Sequence, residues 1–398
     1  MVADGDALVR KPGEPVFLDH VGNPPHLHVI FADGTALELI IDRESELTFE
    51  GPHGVLVVGI GLLLLAWKRP EVVGLSGASF AVGRNGCNGR TDARGTAAVG
   101  SVYDRPVRIA VATCSALPPQ FDDDVRLLEA LAARGADAVH AVWDDLGVRW
   151  DDFERIVIRT TWDYPHKHAA FLDWADAVDD RLENPARVVR WNSDKHHLAD
   201  LIAAGIPTVA TRFVEPGHDV SLPNGEFVVK PAISVGGRLT GRFGPMAHDA
   251  ARRLIARQHD EGRAAMVQPY HSSVDTMGET ALVFLAGEFS HAAHKRAVLR
   301  PDEVAPMRDD EIGGAEVMYG SDIVGPGVAD EREIAVGRQA IAYLSDRFDV
   351  APLQARVDVI RDERGDPMVL ELEAVEPNLY LGFAKGAADR LAGAILAG

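Results

Sequence analysis

The segment LQARVDVIRDERGDPMVLELEAVEPN, residues 353–378, alternates apolar and charged residues on both sides of Arg364-Gly365. That pattern reads as an antiparallel hairpin turning at those two residues. Such a turn places Asp358 opposite Glu371 and Arg356 opposite Glu373, and because side chains alternate with period two, all four share one face. Val357, Val359, Leu370 and Leu372 fall on the other face and are expected to supply the core. Directly opposed carboxylates have Cβ atoms about 4.5 to 5.5 Å apart, and like charges there destabilise a bare sheet. Two resolutions are open from the pattern alone. Either the face is solvated and carries an Arg356–Glu373 ion pair, or Asp358, Glu371 and Glu373 hold a divalent cation. Carboxylate oxygens on rigid strands suit Mg²⁺ or Mn²⁺, which leave positions for phosphate oxygens.

Two lysines bear on that choice. Lys195, in NSDKHHL, is expected in the first turn of a helix capped by Asn192 or Ser193, running to Ala204 and closed by Gly205. Lys230 ends the apolar strand EFVVK, directly before PAISVGGRLTGRF. A lysine closing a buried strand must lie in a pocket or meet an anion, and Gly236, Gly237 and Gly241 let backbone N–H groups approach phosphate oxygens. The chain lacks the GxxxxGK[ST] of a P-loop and has no GxGxxG after VRIAVAT at 107–113, so neither a Walker-type NTPase nor a dinucleotide-binding Rossmann enzyme is indicated.

From Val107 the pattern is that of an open α/β unit. VRIAVAT, residues 138–143 and RIVIR at 155–159 read as parallel strands, with helices at 122–134 and 168–178. Val125, Leu128, Leu131 and Ala132 are expected on the buried face of the first helix. Ligands bind outside the carboxyl ends of such strands, where Cys114-Ser115 and Thr160–Tyr164 fall as candidate substrate contacts. Further on, a helix near 247–259, a strand MVQPY ending at Tyr270, and a hairpin ETALVFLAGEFSHAAHK turning at Ala286-Gly287 precede the acidic hairpin. His271, His291 and His294 lack metal-ligand spacing. Residues 1–105 differ: HLHVIFADGTALELII at 26–41 suggests a strand pair turning at Asp33-Gly34, the run at 55–67 a buried strand or helix, and residues 74–101 a linker. This part is read as an extension without assigned function, poorly ordered or included through a misplaced start.

The 398 residues fit two to three domains. With 40 Lys and Arg against 60 Asp and Glu, the net charge of -20 disfavours nucleic acid and anionic membranes as partners. The longest apolar run, VLVVGIGLLLLAW, has 13 residues, short of the roughly 20 a membrane helix needs. Two cysteines, Cys87 and Cys114, make no disulfide framework, and no basic-then-apolar segment opens the chain, which together indicate the cytoplasm.

The order of these features, a lysine on a helix, FVVKP before a Gly-rich loop, VQPY, a GET hairpin, then RVD paired with ELE, resembles the ATP-grasp superfamily over residues 107–395. The strings ATCSALP, RTTWDYP, RWNSDK, FVVKPAIS, VQPYHSSVDTMGETALVF and GEFSHA resemble, within it, the O-ureido-D-serine cyclo-ligase group of cycloserine biosynthesis. The resemblance implies an α/β and α+β chain with the ATP-grasp fold: a pre-ATP-grasp domain at 106–190, a small subdomain at 191–270 and a large one at 271–398. It implies that Lys195 and Lys230 hold the α- and β-phosphates, that the loop from Ser234 through Gly236 and Gly237 to Arg242 is the lid, and that Gln268–Tyr270 is the hinge reading adenine. Asp275 would contact ribose, Asp358, Glu371 and Glu373 would bind Mg²⁺ or Mn²⁺, and Glu279, Lys295 and Arg356 would support the γ-phosphate. Many relatives have Glu-x-Asn where this chain has Glu371-Leu372-Glu373, which leaves the ligation open between Glu373 and Asn378.

The implied activity is an ATP- and Mg²⁺-dependent carboxylate-amine or cyclising ligation through an acyl phosphate, on a small amino-acid-like carboxylate. The alternative is an ATP-binding protein with a regulatory rather than catalytic role. A homodimer is one assembly open to such a chain.

Overall fold

A computed structural model of the chain describes residues 106–116, 122–304 and 323–397, together with the backbone of strands at 26–30, 36–41, 46–51 and 54–59. The chain divides into two compact units, 1–99 and 100–398.

In the first unit, β1 (His26–Ile30), β2 (Ala36–Ile41), β3 (Glu46–Gly51) and β4 (Gly54–Gly59) form an antiparallel meander in that order. The expected pair at 26–41 is present, with Ile30 opposite Ala36. The Asp33-Gly34 turn, residues 60–67 and the linker at 74–101 lie outside the described residues.

The second unit opens with β5 (Arg108–Thr113), α1 (Asp122–Ala133), β6 (Asp137–Val142) and β7 (Arg155–Thr160), a parallel sheet in the order β6-β5-β7. It is covered on both faces, which explains the continuous apolar strands. Ala110, Ala112, Ile156 and Ile158 pack with Phe171 and Ala175 of α2 (His168–Ala177). Ile109, Val111 and Val157 pack with Leu127 and Leu131 of α1 and with Leu391 and Ile395 of α8 (Ala387–Ala397). The buried face of α1 is only partly the expected one: Leu131 is buried and Leu128 packs against the core, but Leu127, Ala130, Asp123 and Asp124 are buried too, whereas Ala132 is exposed. The two aspartates turn inward because Arg159, 1% exposed at the end of β7, pairs with Asp124 at 3.1 Å, and Asp123 accepts from the Leu379 and Leu381 N–H groups.

α3 (Ala186–Asn192) and α4 (His197–Ala203) follow. The helix expected from Asn192 therefore starts only at His197, and Lys195 sits in the turn between. Asn192 does not cap a helix; its buried amide donates to Leu372 O at 2.9 Å and accepts from Ala374 N at 2.5 Å. Pairing with a strand's backbone is a strong alternative to capping for this side chain.

Two five-stranded antiparallel sheets complete the unit. The smaller, β14-β10-β9-β11-β8, contains β8 (Arg212–Val214), β9 (Phe227–Pro231), β10 (Gly241–Phe243), β11 (Ala265–Pro269) and β14 (Glu303–Val304), with α5 (His248–Asp260) against it. The larger, β15-β13-β12-β16-β17, contains β12 (Glu279–Leu285), β13 (Glu288–Lys295), β15 (Val324–Gly327), β16 (Gln354–Arg361) and β17 (Pro367–Glu373). The short α6 (Ser273–Met277) leads into β12, and α7 (Glu331–Phe348) packs beneath this sheet with α3 and α4. A capping box fixes the start of α7: Asp330 accepts from Arg332 N and Glu333 N while Glu333 accepts from Asp330 N. β14 returns from beyond residue 271 to the smaller sheet, so the chain crosses between the two sheets more than once.

The acidic hairpin has the expected register where it matters: Arg356 faces Glu373, Val357 faces Leu372 and Asp358 faces Glu371. Between Asp358 and Val359 a bulge shifts the pairing, so that Val359 faces Val369. Leu370 is thereby moved out of the expected core row. Val357, Val359, Val369 and Leu372 are in the core, and Leu370 lines a cavity instead.

Candidate active site

The smaller and larger sheets enclose a cavity of about 860 Å³. Lys195, Lys230, Ser234, Gly236, Gly237, Gln268, Tyr270, Asp275, Glu279, Lys295, Arg356, Glu371 and Glu373 all line it. Asp358, 1% exposed, lies just beneath the wall. The structure thus brings together every residue that the resemblance assigned to ATP or the cation, from segments up to 178 positions apart in the chain.

Each charge on the floor has a partner. Lys230 Nζ, at the end of β9, stands 2.6 Å from Glu371 Oε1 on β17. Lys295 Nζ lies 2.7 Å from Asp358 and 2.9 Å from Glu279. Arg356 donates from Nε to Asp358 Oδ1 at 2.8 Å, and its Nη2 reaches both Asp358 Oδ2, at 3.1 Å, and Glu373. The Arg356–Glu373 ion pair read from the sequence is present, and it is made by one of the carboxylates read as the alternative cation site. Lys295, which as a hairpin lysine could equally have pointed to solvent, is 8% exposed and inside the network.

The electrostatics follow. Burial works to raise the Glu371 carboxyl, but Lys230 and then Lys195 outweigh it and hold it well below the usual carboxylate range. Burial opposes Asp358 in the same way and is overcome by Arg356 and Lys295. Glu373 goes the other way: burial, reinforced by Asp358 and Glu371, raises it despite Arg356. Oxygens of Asp358, Glu371 and Glu373 lie within 4.8 Å of one another. Three hard donors so close, one of them raised by burial and then by the other two, fit a divalent cation.

The opposite wall is built for anions. Lys195 is anchored by its N–H to Ala232 O at 2.9 Å, and its Nζ donates to Ser234 O at 2.9 Å. Gly236 and Gly237 have φ of 65° and 75°, left-handed values that suit glycine, and without side chains they let phosphate oxygens approach the backbone. At the far end Arg242 lies 3.6 Å over the Tyr270 ring and binds Asp275 through both guanidinium Nη atoms, at 2.9 and 3.1 Å. The Tyr270 hydroxyl donates to Asp275 Oδ1 at 2.7 Å, and Gln268 Nε2 donates to Thr211 Oγ1 at 2.9 Å.

Trp162 and Tyr164, from the loop after β7, line the cavity beside Glu376, Asn378, Tyr380 and Phe383. Cys114 instead packs in the α/β core, and Asp163 accepts from Trp143 Nε1 at 2.7 Å. His291 Nε2 donates to Leu379 O at 2.8 Å, in keeping with a packing role. Sequence reasoning missed Glu376 and used Arg242 only as the end of a loop. The signal for Glu376 was available: a carboxylate between Val375 and Pro377, just beyond the paired strands.

Comparisons with known proteins agree with this geometry. A family model described as the N-terminal domain of the D-cycloserine synthetase DcsG matches residues 109–184. The cycloserine biosynthesis protein DcsG of Streptomyces lavendulae is 34% identical over 299 residues, covering 72% of this chain and 97% of that protein. The chain belongs to the DcsG family of ATP-grasp ligases. A crystal structure of D-cycloserine synthetase DcsG superposes with a TM-score of 0.64 at 34% identity, over 72% of this chain and 98% of that one. The D-alanine–D-alanine ligase of Bacillus anthracis, solved with ATP, has a TM-score of 0.52 at 12% identity, covering 74% and 96%, and shares the fold. Membership of the DcsG family makes this chain an ATP-dependent ligase. Among the described residues no helix is long and apolar enough to cross a membrane.

Proposed function

We propose that the chain activates the carboxylate of a small amino-acid-like substrate with ATP and joins it to an amine nitrogen, releasing ADP and phosphate. One observation carries this reading. Lys195, Lys230 and the Gly236-Gly237 backbone face Asp358, Glu371 and Glu373 across a single cavity. One wall suits phosphate oxygens and the other suits the cation that accompanies them.

A carboxylate oxygen of the substrate attacks the γ-phosphorus, the bond to ADP breaks, and an acyl phosphate forms. The amine nitrogen then attacks the acyl carbon, phosphate departs with its oxygen, and the nitrogen gives up a proton. Such chemistry needs alignment and charge neutralisation more than a covalent protein group. Lys195 and Lys230 hold the α- and β-phosphates, the backbone of 234–242 covers the transferring group, and Lys295 and Arg356, positioned by Glu279 and Asp358, balance charge at the γ-phosphate. Gln268–Tyr270 take the adenine edge, and Asp275 keeps acceptor capacity on Oδ2 for a ribose hydroxyl. Asp358, Glu371 and Glu373 would hold Mg²⁺, which when bound neutralises and aligns phosphate oxygens. Val228, Val235, Leu198, Ile360 and Leu370 line the cavity with hydrocarbon and keep water from the acyl phosphate.

Similarity to DcsG supports a role in cycloserine-type antibiotic biosynthesis, with O-ureido-D-serine as the substrate to try first. The attacking nitrogen then belongs to the same molecule and the product is a ring, while water cleaves the nitrogen–carbamoyl bond and the carbamoyl group leaves as carbon dioxide and ammonia. The protein is incubated with ATP, Mg²⁺ and O-ureido-D-serine, against a panel of amino acids and dipeptides, and phosphate is followed. Substrate-dependent release is expected. Release with no member of the panel would contradict catalysis and favour a regulatory ATP-binding protein.

A further inference from the structure

The cavity holds one carboxylate that the phosphate and cation chemistry does not use. Glu376 lies three positions beyond Glu373, on the wall formed by Trp162, Tyr164, Tyr380 and Phe383. It stands outside the carboxylate trio: its oxygens do not join those of Asp358, Glu371 and Glu373. Among the described residues no Lys, Arg or His makes an ion pair with it, in contrast to every carboxylate on the cavity floor. The Tyr164 hydroxyl is near enough to influence its ionisation.

The segment carrying Glu376 is fixed from both sides. Trp162 Nε1 donates to Glu376 O at 3.3 Å, and Arg356 Nη1 donates to Asn378 O at 3.2 Å. Tyr380 and Phe383, which line the same cavity, stack at 5.6 Å between centroids. A part-buried carboxyl that lines the cavity and makes no ion pair among the described residues, with Lys195 lowering it only from a distance, is ionised fully when a ligand cation meets it. A compact ammonium suits it, because it brings three donors and is also attracted by aromatic faces.

We propose that Glu376, with Tyr164, is the recognition site for the ammonium group of an α-amino-acid substrate, within the aromatic wall of Trp162, Tyr164, Tyr380 and Phe383. This rests on the ligase reading above and names its substrate class. The placement is consistent internally. Glu373 is near enough to be, after burial, the strongest influence raising the Glu376 carboxyl. An α-amino acid with its ammonium on Glu376 has its carboxylate one carbon away, directed toward the side of the cavity where Glu373, Arg356 and the phosphates meet. The carboxylate to be activated is thus selected by the amine next to it.

The test compares O-ureido-D-serine with its des-amino counterpart, 3-(ureidooxy)propanoate, in substrate-dependent ADP release by the full chain, the E376Q variant and the Y164F variant. A charge-assisted hydrogen bond predicts that the wild type favours the amine by about 10- to 100-fold in kcat/KM. E376Q reduces that preference to within about threefold, Y164F lowers it partially, and both bind Mg²⁺-ATP as the wild type does in calorimetry, which also shows that they fold. Should the wild type prefer another amino acid of the panel, the same comparison is made with that acid and its des-amino form. Equal use of both forms by the wild type, or an undiminished preference in a folded E376Q, overturns the inference alone. Weakened Mg²⁺-ATP binding in E376Q assigns Glu376 to the cation and overturns it too. Absence of ADP release by the wild type with every compound overturns the ligase reading and this inference with it.

Discussion

Lys230 and Glu371 meet 2.6 Å apart across the cavity, the first from β9 of the smaller sheet and the second from β17 of the larger. Neither side chain is free, and in the proposed reaction each serves a different ligand. There, binding would exchange this protein–protein pair for a lysine–phosphate and a carboxylate–cation pair. Lys230→Ala removes the lysine while leaving Lys195 to hold the phosphates alone. ATP affinity is expected to fall by about 10- to 100-fold, the worth of one hydrogen bond to a charged group. Calorimetric titration with ATP checks this, and an unchanged affinity would remove Lys230 from the site.

Glu371→Gln keeps the shape of the side chain and a hydrogen bond to Lys230 but withdraws one carboxylate from the trio. ATP binding without Mg²⁺ should be kept or improved, because a buried negative charge facing the phosphates is gone. The gain in affinity on adding Mg²⁺ should shrink, and turnover should drop by about 100-fold or more. Titrations of ATP at several Mg²⁺ concentrations separate the two effects, and an Mg²⁺ dependence like that of the wild type would contradict the ligand assignment.

Gly278 sets the start of β12 and so the position of Glu279 against Lys295. Its φ of 68° with ψ of -156° is open in practice to glycine alone, and a Cβ there would meet Lys295 O at 2.3 Å. Gly278→Ala should cost about 2 kcal/mol or more in denaturant unfolding. It should also lower turnover by displacing Lys295. A stability within experimental error of the wild type would show that this backbone contact does not hold the site.

Glu376 gives the apo protein a pH signature. Burial, and then repulsion from Glu373, pushes its carboxyl up to about 8, whereas in the unfolded chain it titrates near 4.5. The folded chain therefore keeps a proton that the unfolded chain has released, and stability is lost as pH rises from about 4.5 through about 8. Glu376→Gln has no such group. Its melting temperature should match the wild type near pH 4.5, exceed it increasingly toward pH 8, and level off above. A difference that does not change with pH would contradict the environment described for this residue.

Legibility in the sequence tracked how local the determining interaction was. The Asp358–Glu371 and Arg356–Glu373 pairings follow from a turn and a period of two, and they hold in the structure. The bulge at Val359, which carries Leu370 into the cavity, answers to packing that a period does not encode. The helix expected from Asn192 starts only at His197, and Asn192 does not cap it because its amide joins Leu372 and Ala374, some 180 residues away. The face of α1 was partly misjudged for the same reason: Asp123 and Asp124 are drawn inside by Arg159 and by the backbone at Leu379 and Leu381. Strand FVVKP and its glycine loop announced an anion site, but only the fold shows Lys295 turned inward.

The central claim is that ATP phosphorylates the substrate's carboxylate before nitrogen attacks. It is tested most directly by supplying the accepted substrate with ¹⁸O in both carboxylate oxygens and analysing the released phosphate by mass spectrometry. The account predicts one ¹⁸O per phosphate, formed together with one ADP. Unlabelled phosphate, or AMP and pyrophosphate in place of ADP, would contradict it.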